Sequence, residues 1–289
     1  MKKILITGKN SYIGTSLDKW LMKDSDKYKV DSISVKGDSW KSNDFSQYDV
    51  VFHVAGIAHV SSDPKMEELY FKINRDLTIE IARKAKVEGV NQFIFMSSII
   101  VYGDGSSSKR IIGKDTNPMP SNFYGNSKLQ AEEGIKILES DDFKIVVLRP
   151  PMIYGKGSKG NYPKLAKLAK LTPIFPDFYN ERSMIHIDNL CEFLKVMIDK
   201  EESGLFFPQN KEYVQTSELV KKISEVHDKK LKLTRCFNPL IRLIFHFKII
   251  NKILGNLVYE HSISNYEKSN YQIRDFNDSI ELTELENLE

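Results

Sequence analysis

Two side chains four residues apart, Tyr124 and Lys128, could together transfer a proton. They open a predicted helix, and a spacing of four places them on one face of it. A phenol with a pKa of about 10 acts near neutrality only where nearby cations favour its phenolate, and Lys128 supplies one. Ser98 follows a buried apolar run at 93–96, where its hydroxyl could polarise a substrate oxygen.

A glycine-containing turn lies near the start of the chain. Gly8 permits a tight turn after the first apolar run, and Gly14 lets the following helix pack closely. The amino end of that helix offers free N–H groups and a positive dipole to the phosphates of a dinucleotide. Ser11 stands where a middle glycine is expected, although it is small and its hydroxyl can donate. An ordinary strand-to-helix turn with two glycines is the alternative.

The elements that position these residues follow from the hydrophobic pattern. Apolar runs alternate with amphipathic helices, and their strands are apolar throughout, which is typical of a parallel sheet covered on both faces. We therefore predict an α/β fold of the Rossmann type, a doubly wound parallel sheet, followed by a smaller C-terminal lobe of helices and loops. Strands are expected at 3–6, 30–35, 49–56, 92–96 and 144–148, and helices at 16–22, 67–89, 127–138, 163–171, 190–199 and 217–227.

Composition excludes several classes of protein. The 289 residues carry 42 Lys and Arg against 39 Asp and Glu, and a net charge of +3 is too weak for a nucleic-acid footprint. The two cysteines, Cys191 and Cys236, are far apart and indicate no disulfide, no metal site and a reducing cytoplasm. No apolar stretch approaches the roughly 18 residues of a membrane span.

Two C-terminal segments stand out from this ordinary composition. The apolar segment 238–258 also carries basic residues, and it is predicted to be a buried or partner-facing helix rather than a membrane-surface helix. The acidic tail at 281–286 is predicted to be frayed.

Taken together, these motifs resemble the extended short-chain dehydrogenase/reductase family, in its NAD(P)-dependent nucleotide-sugar epimerase, dehydratase and reductase branch. The similarity covers roughly the first two-thirds of the chain and continues in patches beyond. Its motifs occur in the family's order: Gly8 to Gly14, His53 to Gly56, Asn74, Ser97-Ser98, Val101 to Gly103, Tyr124 to Lys128, Arg149-Pro150 and Tyr154-Gly155.

The resemblance assigns roles to individual residues. It implies that Ser98, Tyr124 and Lys128 form a catalytic triad, with Tyr124 and Lys128 also touching the cofactor. The other cofactor contacts that it implies are Gly8, Ser11, Tyr12, Ile13, Gly14, Ala55, Gly56, Asn74 and Pro151. The cofactor is NAD or NADP. No metal is implied.

The choice between NAD and NADP depends on the end of the second strand. Family members selective for NAD usually carry a carboxylate there, to hold the ribose 2′-hydroxyl. Ser34 stands near that position and Lys36 follows it. No carboxylate there would repel the 2′-phosphate of NADP, and the Lys36 ammonium could attract it. Both cofactors therefore stay open.

The substrate is expected to be a nucleotide sugar, most simply a UDP-sugar. Asn161 resembles an asparagine that approaches the substrate diphosphate in the family. Arg182 resembles the arginine that binds this diphosphate, a role that suits its planar fork of donors. Met152 is a further substrate contact by resemblance. His186, in an apolar strand, is interpreted as structural, as are His53 and His59.

Two reactions fit this resemblance almost equally. The first is 4-epimerisation of a UDP-hexose or UDP-N-acetylhexosamine through a 4-keto intermediate. The second is reduction of a UDP-4-keto-6-deoxy-N-acetylhexosamine, whose reductases are resembled by residues 53–60, 149–152 and 159–161. A 4,6-dehydratase fits less well, because Ile99-Ile100 replaces the expected Asp-Glu pair. A noncatalytic nucleotide-binding protein is the third alternative.

The same resemblance gives a domain division. Residues 1–155, with a returning segment at 186–210, would form an NAD(P)-binding Rossmann domain. Residues 156–185 and 211–289 would form the substrate-binding lobe. The resemblance also indicates a homodimer through two helices beside the sheet. The composition, rather than the resemblance, predicts a cytoplasmic protein with no nucleic-acid partner and no membrane span.

Overall fold

The computed structural model describes residues 1–57, 63–105 and 110–285, so His59 lies outside the described residues. The chain forms two compact units. The sheet unit comprises Met1–Gly103, Asn117–Pro150 and Leu190–Pro208, and the second unit comprises Asp104–Thr116, Pro151–Asn189 and Gln209–Glu289.

The strands are short, from two to six residues each. In chain order they are β1 Lys2–Thr7, β2 Tyr28–Ile33, β3 Val50–His53, β4 Gln92–Met96, β5 Ile111–Ile112, β6 Lys144–Leu148, β7 Met152–Tyr154, β8 Ile174–Pro176, β9 Met184–His186, β10 Gly204–Phe206, β11 Lys232–Thr234 and β12 Val258–Tyr259.

The α-helices lie between these strands and beyond the last of them. They are α1 Tyr12–Leu21, α2 Glu67–Tyr70, α3 Leu77–Val87, α4 Phe123–Lys136, α5 Asn161–Leu171, α6 Ile187–Asp199, α7 Thr216–Val226, α8 Asn238–Leu243, α9 Lys248–Leu254, α10 His261–Ser264 and α11 Phe276–Leu285. Among the described helices, none combines the length and the apolar composition needed to cross a membrane.

Six strands of the sheet unit form one parallel sheet, in the order β10-β6-β4-β3-β1-β2. The predicted doubly wound α/β fold is confirmed. The chain moves from β1 outward to β2 and then returns to β3 on the other side of β1. This reversal opens a crevice beyond the carboxyl ends of β1 and β3, which is where doubly wound sheets bind ligands.

Apolar side chains cover both faces of this sheet. Leu5, Val51 and Phe93 pack in one cluster with Ile81 of α3 and Ile135 of α4. Neighbouring residues along a strand point to the opposite face, where Ile4 and Ile6 are also fully buried. Burial on both faces explains why the central strands β3, β4 and β6 are largely apolar, whereas the edge strand β2 is mostly only partly buried and carries Lys29 and Asp31.

The helix predicted at 67–89 is not regular. Between α2 and α3, residues Phe71–Asp76 form a π-helical turn. Such turns are rare and widen the helix locally, frequently at functional sites. Asn74, which is fully buried, lies in this turn.

The second unit contains small parallel strand pairs and several helices. β7 pairs with β9, β8 with β11 and β5 with β12. The apolar segment 238–258 forms the two short helices α8 and α9 rather than one helix, so the prediction of a single helix is wrong.

The prediction of a frayed acidic tail is also wrong for the described residues. Glu284 of α11 is buried, and its carboxylate accepts a hydrogen bond from the Tyr162 hydroxyl at 3.0 Å and pairs with Lys170 at 2.8 Å. These partners stabilise a carboxylate that would otherwise stay in water.

Candidate functional site

The glycine turn lies at the reversal point of the sheet. Gly8 has a φ of +135°, and a Cβ built on it would lie 3.0 Å from the Ala55 amide nitrogen. A Cβ on Gly14 would lie 3.0 Å from a methyl carbon of Ile6. Neither position has room for a side chain, so the backbone of the turn stays close to the strands.

Ser11 caps the helix that begins at Tyr12. Its hydroxyl oxygen accepts a hydrogen bond from the Gly14 amide at 3.2 Å. The hydroxyl proton therefore remains available to a ligand oxygen. Tyr12, Ile13 and Gly14 form the first turn of α1, whose amino end favours an anion.

The end of β2 lies beside this turn. The amides of Gly8 and Lys9 both donate to the Ile33 carbonyl oxygen at 3.0 Å. Ser34 follows directly and is exposed, as is Lys36, whose amide donates to the Ser34 hydroxyl at 3.4 Å. A hydroxyl and an ammonium, rather than a carboxylate, thus follow the second strand.

Asn74 links the loop after β3 to helix α4. Its Oδ1 accepts from the Ile57 amide at 2.8 Å, while its Nδ2 donates to the Ile57 carbonyl and to the Ser127 hydroxyl, each at 3.1 Å. Both N–H donors of the amide are therefore used within the protein. Asn74 thus ties the loop that follows Gly56 to Ser127 of α4.

Gly56 marks the point of closest approach in that loop. A Cβ at this position would lie 2.9 Å from Asn74 Oδ1 and 3.3 Å from the Lys128 ammonium. The loop that follows β3 and the Lys128 side chain therefore border the same space.

Ser98 and Tyr124 are brought together by two helix caps. Ser98 caps a short 3₁₀ turn, Ile99–Tyr102, and Asn122 caps α4 by accepting from the Gly125 amide at 2.9 Å. A Cβ on Gly125 would lie 2.7 Å from the Ile100 carbonyl oxygen, so only glycine lets α4 approach this turn so closely.

Tyr124 is buried, and its environment sets the protonation of the phenol. Burial raises its pKa to about 12, while its hydrogen bond with the Ser98 hydroxyl lowers the pKa and the neighbouring Tyr70 raises it. The rings of Tyr70 and Tyr124 meet edge to face, 6.1 Å between centroids. The phenol therefore holds its proton at neutral pH until positive charge is placed beside it.

Lys128 is almost fully buried, with its ammonium donating to the Met96 carbonyl oxygen at 2.9 Å. The ammonium also lies 4.6 Å from the centre of the Phe95 ring. Burial lowers the Lys128 pKa to about 8, although the carboxylate of Glu132, one turn along α4, raises it. The side chain remains mostly charged at neutral pH.

Sequence reasoning missed a buried ionic network directly behind these residues. Arg149 forms a fork with the Glu132 carboxylate at 2.5 to 3.1 Å and donates to the Tyr102 hydroxyl at 2.6 Å. Ser97 donates to the same carboxylate. The network thus fixes the residue before Ser98 and the helix turn after Lys128. One signal was available, since Glu132 shares a helix face with Lys128.

His53 lies within a second buried network, beneath the loop after β3. Its Nδ1 is 2.7 Å from the Thr7 hydroxyl, and its Nε2 is 3.0 Å from the Thr78 hydroxyl. Thr78 donates to the Asn74 carbonyl, so Nε2 must carry the ring proton and Nδ1 accepts from Thr7. Burial, aided by the Lys128 charge, lowers the His53 pKa to about 3.

Apart from Ser98, the residues predicted to bind substrate lie in the second unit, as does Pro151. Met152 opens β7, and Asn161 begins α5 with an exposed side chain. The Arg182 guanidinium donates to the Gly255 carbonyl at 2.9 Å, and burial lowers its pKa to about 10 although Asp104 raises it. The arginine keeps its charge and its remaining donors at neutral pH.

The structure therefore brings together Ser98, Tyr124 and Lys128 with Gly56 and Asn74 in the sheet unit. Within the described ranges, no group of three or more His, Cys, Asp or Glu side chains is arranged to hold a metal ion. Such a site is suited to proton transfer beside a bound dinucleotide.

Comparison with known sequences gives one family match. The model of the NAD dependent epimerase/dehydratase family matches residues 4–207. A UDP-glucose 4-epimerase from Vibrio cholerae is 33% identical over 284 residues, covering 89% of this chain and 86% of the relative. An N-acetyl-α-D-glucosaminyl-diphospho-ditrans,octacis-undecaprenol 4-epimerase from Escherichia coli O157:H7 is 26% identical over 272 residues, covering 87% and 81%.

Solved structures share the fold over nearly the whole chain. A dTDP-4-dehydrorhamnose reductase from Clostridium acetobutylicum gives a TM-score of 0.77 at 21% identity, covering 99% of both chains. A UDP-glucuronic acid 4-epimerase from Bacillus cereus, solved with UDP-glucuronic acid and NAD, gives 0.76 at 20% identity, covering 99% and 100%.

Proposed function

The chain belongs to the NAD dependent epimerase/dehydratase family, and from that premise we propose that it inverts C4 of a UDP-hexose or UDP-N-acetylhexosamine. The observation that carries this proposal is the cluster of Ser98, Tyr124 and Lys128 at the carboxyl edge of the sheet, beside the reversal point. The sheet unit would bind NAD or NADP, and the second unit would bind the sugar nucleotide.

The residues present fit a dinucleotide. Gly8 and Gly14 exclude side chains from the turn, and the first turn of α1 with the Ser11 hydroxyl offers donors to a diphosphate. Ala55 and Gly56 would line the middle of the cofactor, while Ser34 and Lys36 would lie near the adenosine ribose. Asn74 would act by holding this wall, because its own amide is fully engaged.

The protein's part in the reaction is the movement of a proton. Nicotinamide, when bound, would supply a hydride acceptor and a positive charge next to the phenol. Tyr124 would then remove the proton from the sugar 4-hydroxyl as hydride leaves C4. Ser98 would donate a hydrogen bond to O4, and Lys128 would stabilise the phenolate and hold the nicotinamide ribose.

Inversion requires the 4-keto sugar to turn over and accept hydride on its other face. Tyr124 would return the proton to O4 in that second half, so the hydride and the proton are both recovered and no cofactor is consumed. Arg182 and Asn161 would hold the diphosphate during the turn, with Met152 against the sugar. Arginine suits this role because its fork matches phosphate oxygens.

The relatives support epimerisation over reduction. The Vibrio cholerae and Escherichia coli proteins are both named as 4-epimerases of a sugar carried on a diphosphate, and both alignments cover most of this chain. Reduction of a UDP-4-keto-6-deoxy-N-acetylhexosamine is the second candidate. The sequence at 149–152, Arg-Pro-Pro-Met, favours that reductase group, since typical UDP-galactose epimerases carry an asparagine near Met152.

One experiment separates these candidates. The purified protein, with its retained nicotinamide content measured, is incubated with UDP-glucose and UDP-N-acetylglucosamine without added cofactor, and the anomeric protons are followed by NMR. We expect equilibration of the C4 epimers, and we expect Tyr124→Phe to lower the rate by about 10²- to 10⁴-fold with cofactor binding retained.

Absence of epimers with nicotinamide bound, combined with NAD(P)H consumption on a 4-keto-6-deoxy sugar nucleotide, would identify the reductase instead. Inactivity on every sugar nucleotide would leave a noncatalytic nucleotide-binding protein. Near-normal turnover by Tyr124→Phe would exclude the mechanism.

A further inference from the structure

One stretch of the second unit has an unusual charge pattern. Residues 229–259 contain seven lysines and arginines and neither aspartate nor glutamate, whereas the whole chain has a net charge of only +3. The rest of the chain is therefore net acidic. The cations of this stretch are Lys229, Lys230, Lys232, Arg235, Arg242, Lys248 and Lys252.

The centre of this stretch exposes large apolar side chains. Leu243 is 74% exposed, Leu240 56%, Phe247 55% and Phe237 41%. They belong to α8 and the residues on either side of it. Single exposed apolar residues are normal, but four within eleven positions form a patch that marks an interaction site.

The patch is held in shape by a core of its own. Ile241, Phe245 and Leu254 are buried together and pack against Phe178 and Ile250. Side chains of the same segment thus point both inward and outward, and both sets are apolar.

Exposed cations lie in the same segment. Arg242 is exposed on α8 and Lys252 on α9. Arg235 is also exposed, although it pairs with Asp177 at 2.8 Å. The surface, which we call the α8–α9 surface, comprises Phe237, Leu240, Leu243 and Phe247 with Arg235, Arg242 and Lys252.

We propose that the α8–α9 surface docks on an anionic phospholipid bilayer. Short amphipathic helices bind at the boundary between head groups and acyl chains when apolar side chains enter the bilayer and basic side chains meet anionic head groups. The net positive charge of this surface, to which Arg242 and Lys252 contribute, argues against a second copy of the same surface, because like charges would then face each other. Docking of this kind needs no helix that spans the membrane.

The α8–α9 surface leads directly to a residue of the proposed substrate site. Gly255, the residue after α9, accepts the hydrogen bond from Arg182. Membrane docking would therefore hold the backbone that accepts from Arg182 close to the bilayer. This consequence rests on the proposed function, whereas the docking does not.

Vesicle co-sedimentation tests the docking with the full-length protein. The protein is mixed with vesicles of phosphatidylglycerol and phosphatidylcholine in equal amounts, and separately with pure phosphatidylcholine. We expect binding to the anionic vesicles that is at least tenfold tighter and that weakens as salt rises.

Two variants and their matched controls locate the surface. We expect the triple change Leu240→Ser, Leu243→Ser and Phe247→Ser to weaken binding at least tenfold, and the pair Arg242→Gln and Lys252→Gln roughly tenfold or more. The control for the triple change is Val87→Ser with Ile137→Ser and Leu171→Ser, which alters three comparably exposed apolar residues elsewhere in the chain. The control for the pair is Lys19→Gln with Lys136→Gln, which removes the same number of positive charges. Both controls should bind like the parent protein.

Circular dichroism and nicotinamide binding confirm that each variant is folded. Epimerisation of a soluble UDP-sugar is measured in parallel, and docking variants that keep this activity separate the docking from the proposed function. Equal binding to both vesicle types, or equal losses in variants and controls, would overturn the proposal. A dimer in sedimentation velocity that the triple change dissociates, without any vesicle binding, would assign the surface to a second copy instead.

Discussion

The Lys128 ammonium donates to the carbonyl oxygen of Met96 at 2.9 Å, which joins helix α4 to the last residue of β4. Ser97 and Ser98 continue from that strand end. The bond therefore fixes the distance between the helix that carries Tyr124 and the backbone that carries Ser98. It also holds a cation that burial would otherwise exclude.

Replacement of this lysine tests both of the roles proposed for it. We expect Lys128→Met to reduce kcat by about a hundredfold or more, because the phenolate loses its cation, and to weaken cofactor binding, because the ammonium is expected to touch the ribose. Calorimetric titration with NAD and NADP measures the second effect. Lys136→Met, on the exposed part of α4, is the control. Unchanged cofactor affinity in Lys128→Met would remove the ribose contact from the mechanism.

Two glycines of α4 allow a matched test of how closely the helix must approach Ser98. In Gly125→Ala the new methyl would meet the Ile100 carbonyl oxygen at 2.7 Å, so backbone must move and we expect activity to fall about ten- to a hundredfold. In Gly134→Ala the methyl meets only the Ile79 side chain, which can rotate, and steady-state rates should stay within about twofold. Similar rates in the two variants would show that this approach is unimportant.

The buried pair of Glu132 and Arg149 should be strongly coupled. We expect Glu132→Gln to lower the free energy of unfolding by about 3 to 5 kcal/mol, because it leaves Arg149 buried without its carboxylate. The double variant Glu132→Gln, Arg149→Met should lose much less than the sum of the single losses. Urea unfolding of all four proteins gives the coupling energy, and additive losses would contradict the idea of a single unit.

Cofactor preference should respond to the residue after β2. Ser34→Asp places a carboxylate where NAD-selective proteins hold the ribose 2′-hydroxyl, so the ratio of NADP to NAD dissociation constants should rise by about tenfold or more. Ser34→Asn, of similar size and without charge, is the control. If neither variant shifts the ratio, the adenosine ribose does not lie at the end of this strand.

The buried imidazole of His53 predicts a pH dependence of stability. Its pKa is lowered from 6.5 to about 3, so between these values the unfolded chain binds a proton that the folded chain does not. Stability should therefore fall as pH falls from 6.5 towards 3, by about 1.4 kcal/mol per pH unit from this group. His53→Gln lacks this contribution. Urea unfolding at several pH values should show that the difference in free energy of unfolding between the parent protein and His53→Gln becomes smaller as the pH falls. A constant difference would contradict the prediction.

The fold was predictable because the buried strands carry no polar alternation. Lys144 to Leu148, for example, is apolar from its second residue onward, which suits a strand buried on both faces. The spacing of Tyr124 and Lys128 likewise predicted a shared helix face. These inferences need only local periodicity, and local periodicity is what a sequence displays.

The rest of the site depends on contacts between distant segments. Glu132 and Arg149 are charged residues, which in a sequence indicate exposed positions, and only their pairing makes burial tolerable. The apolar segment 238–258 was predicted to be one helix because its period could not reveal the break between α8 and α9. The hydrogen bonds of Asn74 with Ile57 and Ser127 join three separate segments of the chain. A local sequence pattern therefore cannot predict them.

The π-helical turn at Phe71–Asp76 determines in which direction the side chains before it and after it point around the helix axis. Upstream, Tyr70 meets the Tyr124 ring, and downstream, Thr78 is hydrogen bonded to His53. An α-helix advances 100° per residue. Deletion of one residue here would restore regular α-helical hydrogen bonds and would rotate either Tyr70 or Thr78 away from its partner. Chain length in this region is therefore as restricted as residue type, and relatives with a one-residue gap here would be expected to have a different wall behind Tyr124.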